Sequence, residues 1–449
     1  VTQLVNLDDK GEVMLATGGL YAPTIRCHNG TVYVVCTNVI ISAPDVDHVH
    51  SNFIVSTTDI WSDNWSDPVF FQFKGIDPSI FFDDDGRTYM QGSASPGPMT
   101  KIHLFEIDLK TGEKLSEEKK IWDGTGGIYP EGPHLYKKDG LYYLLISEGG
   151  THDGHMITVA RSKDIWGPYE SYEKNPILTA AGTDEYIQYT GHCDMFQGQS
   201  GEWWGVCLGV RKDGGGRFIM GRETFLTPGA WREGEWPSLE RVKATPRRMV
   251  SAGGATLKAK PTVDFVYIRD VDLGKYQFSS TPEESITLTP SPIDLADPIE
   301  SPTFVGKRQR QLTGTSTVTL ETGGGPSIKA GLAVYKDEHR FLRIQHESSS
   351  PSSAVVVELR NNAKKIHRTT RHECSVRDGE ALDLQLTYTE QEYRVGFKGE
   401  GAKEWQTVAT FDTMDLTGPD FVGPVVGVFA VSVGDGPPAN VHFRNLKIE

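Results

Sequence analysis

The sequence predicts an all-β chain in two domains, a β-propeller followed by a β-sandwich, and three observations carry that expectation. A hairpin recurs through the first half of the chain at a nearly constant spacing. The second half keeps strand-like runs but loses the repeat. That second half also holds no amphipathic stretch of helix length. At 449 residues the chain is also too long for one ordinary core, so size alone argues for two domains.

The four copies of the hairpin run from Thr24 to Tyr33, Ser79 to Tyr89, His134 to Tyr143 and Asp194 to Trp204. Each is a short strand, a polar turn ending in glycine, and a second strand rich in aromatic or β-branched residues. The turn glycines are Gly30, Gly86, Gly140 and Gly201, so the steps are 56, 54 and 61 residues. A strand-built repeat of that length reads as a propeller blade of about four strands. After Pro246 the repeat stops, and Met249 to Lys260 is rich in Ser, Gly, Ala and Lys, as a linker would be. Runs such as Thr315 to Leu320 and Val425 to Val431 then suggest a sandwich. The expected boundaries are 1–248 for the propeller, 249–262 for the linker and 263–449 for the sandwich.

Composition narrows the partners. Hydrophobic residues make up 37% of the chain, enough to build cores without metal or disulfide staples. A formal charge of −15 repels nucleic acid and anionic membrane, whereas a neutral sugar polymer is indifferent to it. No apolar run approaches the roughly 20 residues that span a bilayer. Val1-Thr2-Gln3-Leu4 is no signal peptide, yet a processed extracellular chain would begin in the same way. The triplets Asn29-Gly30-Thr31 and Asn64-Trp65-Ser66 add weak support for secretion. Five cysteines without a Cys-x-x-Cys fit neither a disulfide scaffold nor a zinc site. Cys193 and Cys207 face each other if the turn near Gly198 to Gly201 closes, but two buried free thiols are the favoured reading.

Repeat position singles out a site. Nine residues before Gly86, Gly140 and Gly201 stand Asp77, Glu131 and His192, and eight before Gly30 stands Ala22. Each precedes the innermost strand of its blade, and such strand starts converge on one mouth of a propeller. Pro78 follows Asp77, and Pro130 and Pro133 flank Glu131, which stiffens both carboxylates. Taken singly, Asp77 reads as a turn residue and Glu131 as a solvated loop acid; their shared place in the repeat favours a site. Two carboxylic acids around a pocket suit glycoside hydrolysis, one as acid and one as base. The segments that follow each second strand, 38–51, 91–98, 147–155 and 210–217, should form the rim. Within the first, Asp45, Asp47, His48 and His50 are a candidate metal cluster, although a polar loop that limits substrate length is the favoured reading.

Several motifs in order carry a family resemblance: Tyr21-Ala22-Pro23-Thr24-Ile25-Arg26, Gly75-Ile76-Asp77-Pro78-Ser79, Gly126 to His134, Glu148-Gly149-Gly150-Thr151, Thr190-Gly191-His192 and Gly221 to Phe225. Together they resemble glycoside hydrolase family 43, in its branch of β-xylosidases and α-L-arabinofuranosidases with a C-terminal sandwich. The resemblance implies a five-bladed propeller and a concanavalin-A-like sandwich, the latter announced by Ser301 to Gln309. It implies an inverting, exo-acting enzyme that is extracellular and releases L-arabinofuranose from arabinoxylan, with β-1,4-xylosidase action on xylo-oligosaccharides as the alternative. Glu131 then resembles the general acid, and Asp77 the carboxylate that tunes and orients it. Arg222 resembles the arginine that contacts the reacting sugar, and Tyr21 an aromatic wall; Ala22 and Gly150 also face the sugar. His192 resembles a central histidine that lies near a structural calcium in some members; no cofactor is otherwise required. The family's base is an aspartate on the first of five blades, and only four repeats are found here. The expectation is therefore a missing first blade, carried by a separate N-terminal fragment or lost from the sequence. A non-catalytic sugar-binding protein and a retaining fructan-acting enzyme are the competing readings.

Overall fold

The computed structural model describes residues 18–40, 49–62, 64–245, 264–279, 285–322, 328–349, 352–374, 379–418, 421–434 and 439–448. The linker expected at 249–262 and most of the Asp45–His48 cluster lie outside these residues. Two compact units emerge. Of the described residues, one comprises 18–212 and 223–245, the other 213–222 and those from 264 onward.

The first unit is a β-propeller in which four blades are described, each an antiparallel sheet built in chain order. The first blade is β1 (Gly19–His28), β2 (Thr31–Ile40), β3 (Val49–Thr57) and β4 (Val69–Phe71). The second is β5 (Gly75–Phe82), β6 (Thr88–Ala94), β7 (Lys101–Glu106) and β8 (Lys119–Trp122). The third holds β9 (Glu131–Lys138), β10 (Leu141–Glu148) and β11 (Met156–Ser162), with short β12 (Glu170–Ser171) and β13 (Leu178–Thr179) both on β11. The fourth is β14 (Ile187–Gln197), β15 (Trp203–Arg211), β16 (Glu223–Ala230) and β17 (Ser238–Leu239). All four expected hairpins are thus the two inner strands of a blade.

Apolar side chains pack between consecutive blades. Val35 and Ile54 meet Ile80, Met90 and Phe105 between the first and second. Phe81, Tyr89 and Leu104 meet Leu135, Leu144 and Ile165 between the second and third. Tyr143, Leu145 and Val159 meet Met195, Cys207 and Trp231 between the third and fourth. One loop sequence recurs in two environments. Asp164-Ile165-Trp166 follows β11, and there Ile165 is 5% exposed while Trp166 meets Tyr89 of the second blade edge-on at 5.8 Å. Asp59-Ile60-Trp61 follows β3, and there Ile60 is 42% and Trp61 70% exposed.

The second unit is a sandwich of two seven-stranded antiparallel sheets. One contains Phe304–Arg308, Val425–Ser432 and Ile328–Asp337 side by side; the other contains Gly314–Glu321 between Val441–Lys447 and Ala381–Tyr388. Both runs foreseen in this half, at 315–320 and 425–431, are strands. Strands at Phe265–Val266, Tyr276–Ser279 and Ser285–Leu288 already belong to these sheets, so the sandwich begins well before Ser301. Segment 213–222 belongs to this unit: Arg217 forks onto Asp412 (3.0 and 2.8 Å), and Arg308 donates to the Met220 carbonyl (2.6 Å).

Candidate active site

The backbone at the start of each inner strand explains why these positions are special. Ala22, Asp77, Gly132 and His192 all adopt a left-handed backbone, with φ of 34°, 52°, 58° and 44°. Each lies at a break in the pairing of its hairpin, so each is a bulge. Three are followed by proline, which has no N–H to give a ladder and so suits an unpaired position. The fourth is followed by Cys193. A left-handed backbone is uncommon for residues with a Cβ, and it persists where the surroundings over-determine it, often at functional sites.

This corrects the repeat alignment by one residue. The equivalent of Asp77 and His192 in the third blade is Gly132, not Glu131. Glu131 stands one place earlier, in the ladder opposite Ser147. The three residues still meet. The Gly132 N–H donates to Asp77 Oδ2 (3.2 Å) and lies 3.2 Å from Ser93 Oγ, which in turn donates to Asp77 Oδ2 (3.4 Å). The His192 N–H donates to Ser147 Oγ (2.7 Å). A Cβ on Gly132 would stand 3.0 Å from His192 Nε2, so the imidazole lies flush against that backbone. Asp77 is buried, whereas Glu131 and His192 are half-buried and reachable.

Two further groups support this floor, and no role was foreseen for either. Two residues beyond each bulge stand Thr24, Ser79, His134 and Asp194, all on inner strands. Arg26 of the first blade donates to Asp194 Oδ2 of the fourth (2.5 Å) and to His134 Nδ1 of the third (3.2 Å). Ser79 of the second blade lies 3.0 Å from the same Nδ1, and Tyr136 donates to Asp194 Oδ1 (2.6 Å). Four blades are joined through one buried polar cluster. Burial, helped by Arg26 and His192, pushes His134 down to about 3, although Asp194 opposes it. The ring is neutral at physiological pH, which its acceptance of the Arg26 N–H also requires. Burial alone would raise the Asp194 carboxyl, but the Arg26 guanidinium and the Tyr136 hydroxyl hold it below its ordinary range.

Glu148, at the end of β10, is the second. Its carboxylate is fully buried and accepts from Thr125 N–H (3.0 and 3.1 Å), Thr125 Oγ1 (3.0 Å) and Thr158 Oγ1 (2.6 Å). A Cβ at Gly124 would meet it at 2.4 Å. Glu148 therefore ties down the glycine-rich segment that leads to Tyr129, Pro130 and Glu131. The signal for it in the sequence was a lone acid ending a strand just before Gly149-Gly150. The signal for the axial cluster was the same repeat counted two residues further on.

The remaining expected residues divide. Tyr21 and Ala22 lie near the start of β1 at the same end of the propeller, and a Cβ on Gly150 would stand 3.3 Å from the Tyr129 ring. Arg222 falls in the sandwich unit, where its guanidinium lies 3.6 Å from the centre of the Phe421 ring. Cys193 and Cys207 form a disulfide, not the two free thiols favoured from sequence; Cys193 sits on the β14 bulge opposite β15, which brings the sulfurs together. Among the described residues no group of three or more His, Cys, Asp or Glu is placed to hold a metal ion.

A reachable carboxylic acid, a second carboxylate locked to the amide that follows it, and an imidazole beside them equip a mouth for glycosidic bond cleavage. Comparison with known proteins agrees. The sequence model described as Glycosyl hydrolases family 43 matches residues 3–237, and that of a beta xylosidase C-terminal concanavalin A-like domain matches 259–449. The chain is a glycosidase, and it belongs to glycoside hydrolase family 43. It is 31% identical to a non-reducing end alpha-L-arabinofuranosidase of Bacteroides ovatus, over 92% of this chain and 78% of that protein. It is 27% identical to a xylan 1,3-beta-xylosidase of a Vibrio species, over 92% and 83% of the two chains. The crystal structure of a xylan beta-1,4-xylosidase from Bacillus halodurans superposes with a TM-score of 0.84 at 26% identity, covering 99% of this chain and 90% of that one.

Proposed function

We propose that the chain is an exo-acting, inverting glycosidase that releases L-arabinofuranose from arabinoxylan or its oligosaccharides. The observation that carries this reading is the Glu131–Gly132–Asp77 arrangement. Glu131 is placed to protonate the leaving oxygen, and Asp77, held by the next amide, keeps a negative charge beside it. His192, flush against Gly132, bounds the sugar on the fourth-blade side. The relative named for non-reducing-end arabinofuranose supports the sugar and the exo action. Other relatives named as xylosidases favour β-1,4-xylosidase action as the second reading. The Cys193–Cys207 disulfide supports an extracellular setting, where such bonds persist.

No residue described here is assigned as the base. The first blade leaves Ile25 56% and Phe70 57% exposed, and among the described residues its Asp59-Ile60-Trp61 loop has no neighbour like the one that covers Ile165. The reading therefore includes a further sheet against that face, in this chain or a separate one, bearing the carboxylate that activates water. Proton NMR of the first product formed from an aryl α-L-arabinofuranoside tests the proposal. Inversion, with the β-sugar appearing first, is expected; first formation of the α-sugar overturns it.

A further inference from the structure

Tyr189 opens β14 three residues before His192, inside the pairing break between Gln188 and Gly191. Its φ is 58°, an outlier for a bulky residue. The equivalent place in the third blade, three residues before Gly132, is Tyr129, also a tyrosine and also left-handed at 54°. In the first two blades the same place holds Gly19 and Lys74, and Gly19 adopts a positive φ without strain. The turn itself therefore does not require an aromatic ring. Glycine would meet its backbone demand more easily, so something other than folding accounts for a tyrosine there.

The Tyr189 ring is held firmly and left half-exposed. Lys212 donates to its hydroxyl (3.0 Å), and the same ammonium lies 4.9 Å from the ring centre. His152 meets the ring edge-on at 5.6 Å, and His155 Nδ1 donates to the Tyr189 carbonyl (2.9 Å). Asp153 lies 3.7 Å from Lys212. His152 and Lys212 come from two of the segments expected to form the rim. Tyr189 precedes His192 on β14, on the side from which the strand enters the mouth.

We propose that Tyr189, flanked by Lys212 and His152, is the recognition platform for the sugar on the leaving-group side, a neutral pyranose of the polysaccharide backbone. The aromatic face packs on the apolar face of the pyranose, while the ammonium and imidazole reach its hydroxyls. This rests on the carbohydrate reading above but not on turnover. The test is calorimetric titration of the parent, Tyr189→Gly and Lys212→Ala with an arabinosylated xylo-oligosaccharide and with arabinose. In Tyr189→Gly the ratio of oligosaccharide to monosaccharide affinity should fall about tenfold or more. Its Tm should not fall, because glycine relieves the left-handed strain. Lys212→Ala should lower the same ratio by a smaller factor. An unchanged ratio in a folded Tyr189→Gly variant overturns the assignment, as does a parent that binds the oligosaccharide no better than the monosaccharide. Product stereochemistry or absent turnover would count against the enzymatic reading alone and leave these ratios interpretable.

Discussion

A methyl group at position 132 would press on the His192 ring, and the amide of the same residue holds Asp77. The consequence for Glu131, one residue away, is electrostatic. A carboxylate beside an acid favours the protonated form and so keeps the proton on at higher pH. Asp77→Asn should therefore move the alkaline limb of the activity profile to lower pH, as well as lowering the rate. A pH–rate series on parent and variant checks this, and an unmoved alkaline limb would assign Asp77 to folding alone. His134 works by the opposite logic. Burial leaves it neutral in the folded protein down to about pH 3, whereas an unfolded histidine takes up its proton near 6.5. Between those values the unfolded chain binds more protons, so stability falls as pH drops. The depressed Asp194 adds a loss in the same direction at the acid end of that window. Urea midpoints measured from pH 7 to pH 3 should decline, and His134→Gln should flatten the decline between about 6.5 and 3.

At the scale of the strand, the bulge organises the site, and the tie at Glu148 holds the approach to it. Glu148→Gln keeps one acceptor but turns an amide N–H toward Thr125, leaving buried donors facing one another. We expect a loss of about 1–3 kcal/mol in unfolding free energy, with kcat lowered more than KM. Urea unfolding and steady-state kinetics check it, and an unshifted midpoint would show that the segment is held by other contacts. The blades were legible in the sequence because Gly30, Gly86, Gly140 and Gly201 mark turns that need a positive φ, and so punctuate the repeat. The phase of Glu131 was not. All four inner strands carry the bulge, but the third-blade hairpin closes with two residues between Lys138 and Leu141, whereas five lie between Phe82 and Thr88 in the second and between Gln197 and Trp203 in the fourth. The same count back from the turn glycine therefore lands one place off in the third. Ala22, Asp77 and His192 occupy equivalent bulges, and Glu131 adjoins the fourth such position, Gly132. The axial contacts of Arg26 with His134 and Asp194 join residues more than 100 positions apart, which no local pattern reveals. Glu148 was read only as part of a motif. Its role depends on Thr125 and Thr158 folding around it.

In the molecule as a whole, consecutive blades of a family 43 propeller build one mouth. The first blade presents an apolar face through Ile25, Ile60 and Phe70, which a further sheet would cover. In the proposed division of labour at the mouth Glu131 is the proton donor, and leaving-group dependence is the sharpest probe of that role. Glu131→Gln and the parent should be compared on a series of aryl α-L-arabinofuranosides of graded leaving-group acidity and on an arabinoxylo-oligosaccharide. Glu131→Gln should lose about 10² to 10⁴ in kcat/KM on the oligosaccharide and on poor leaving groups, and the loss should shrink steadily as the leaving group becomes acidic enough to depart without a proton. An equal loss across the whole series would overturn the assignment of Glu131 as proton donor.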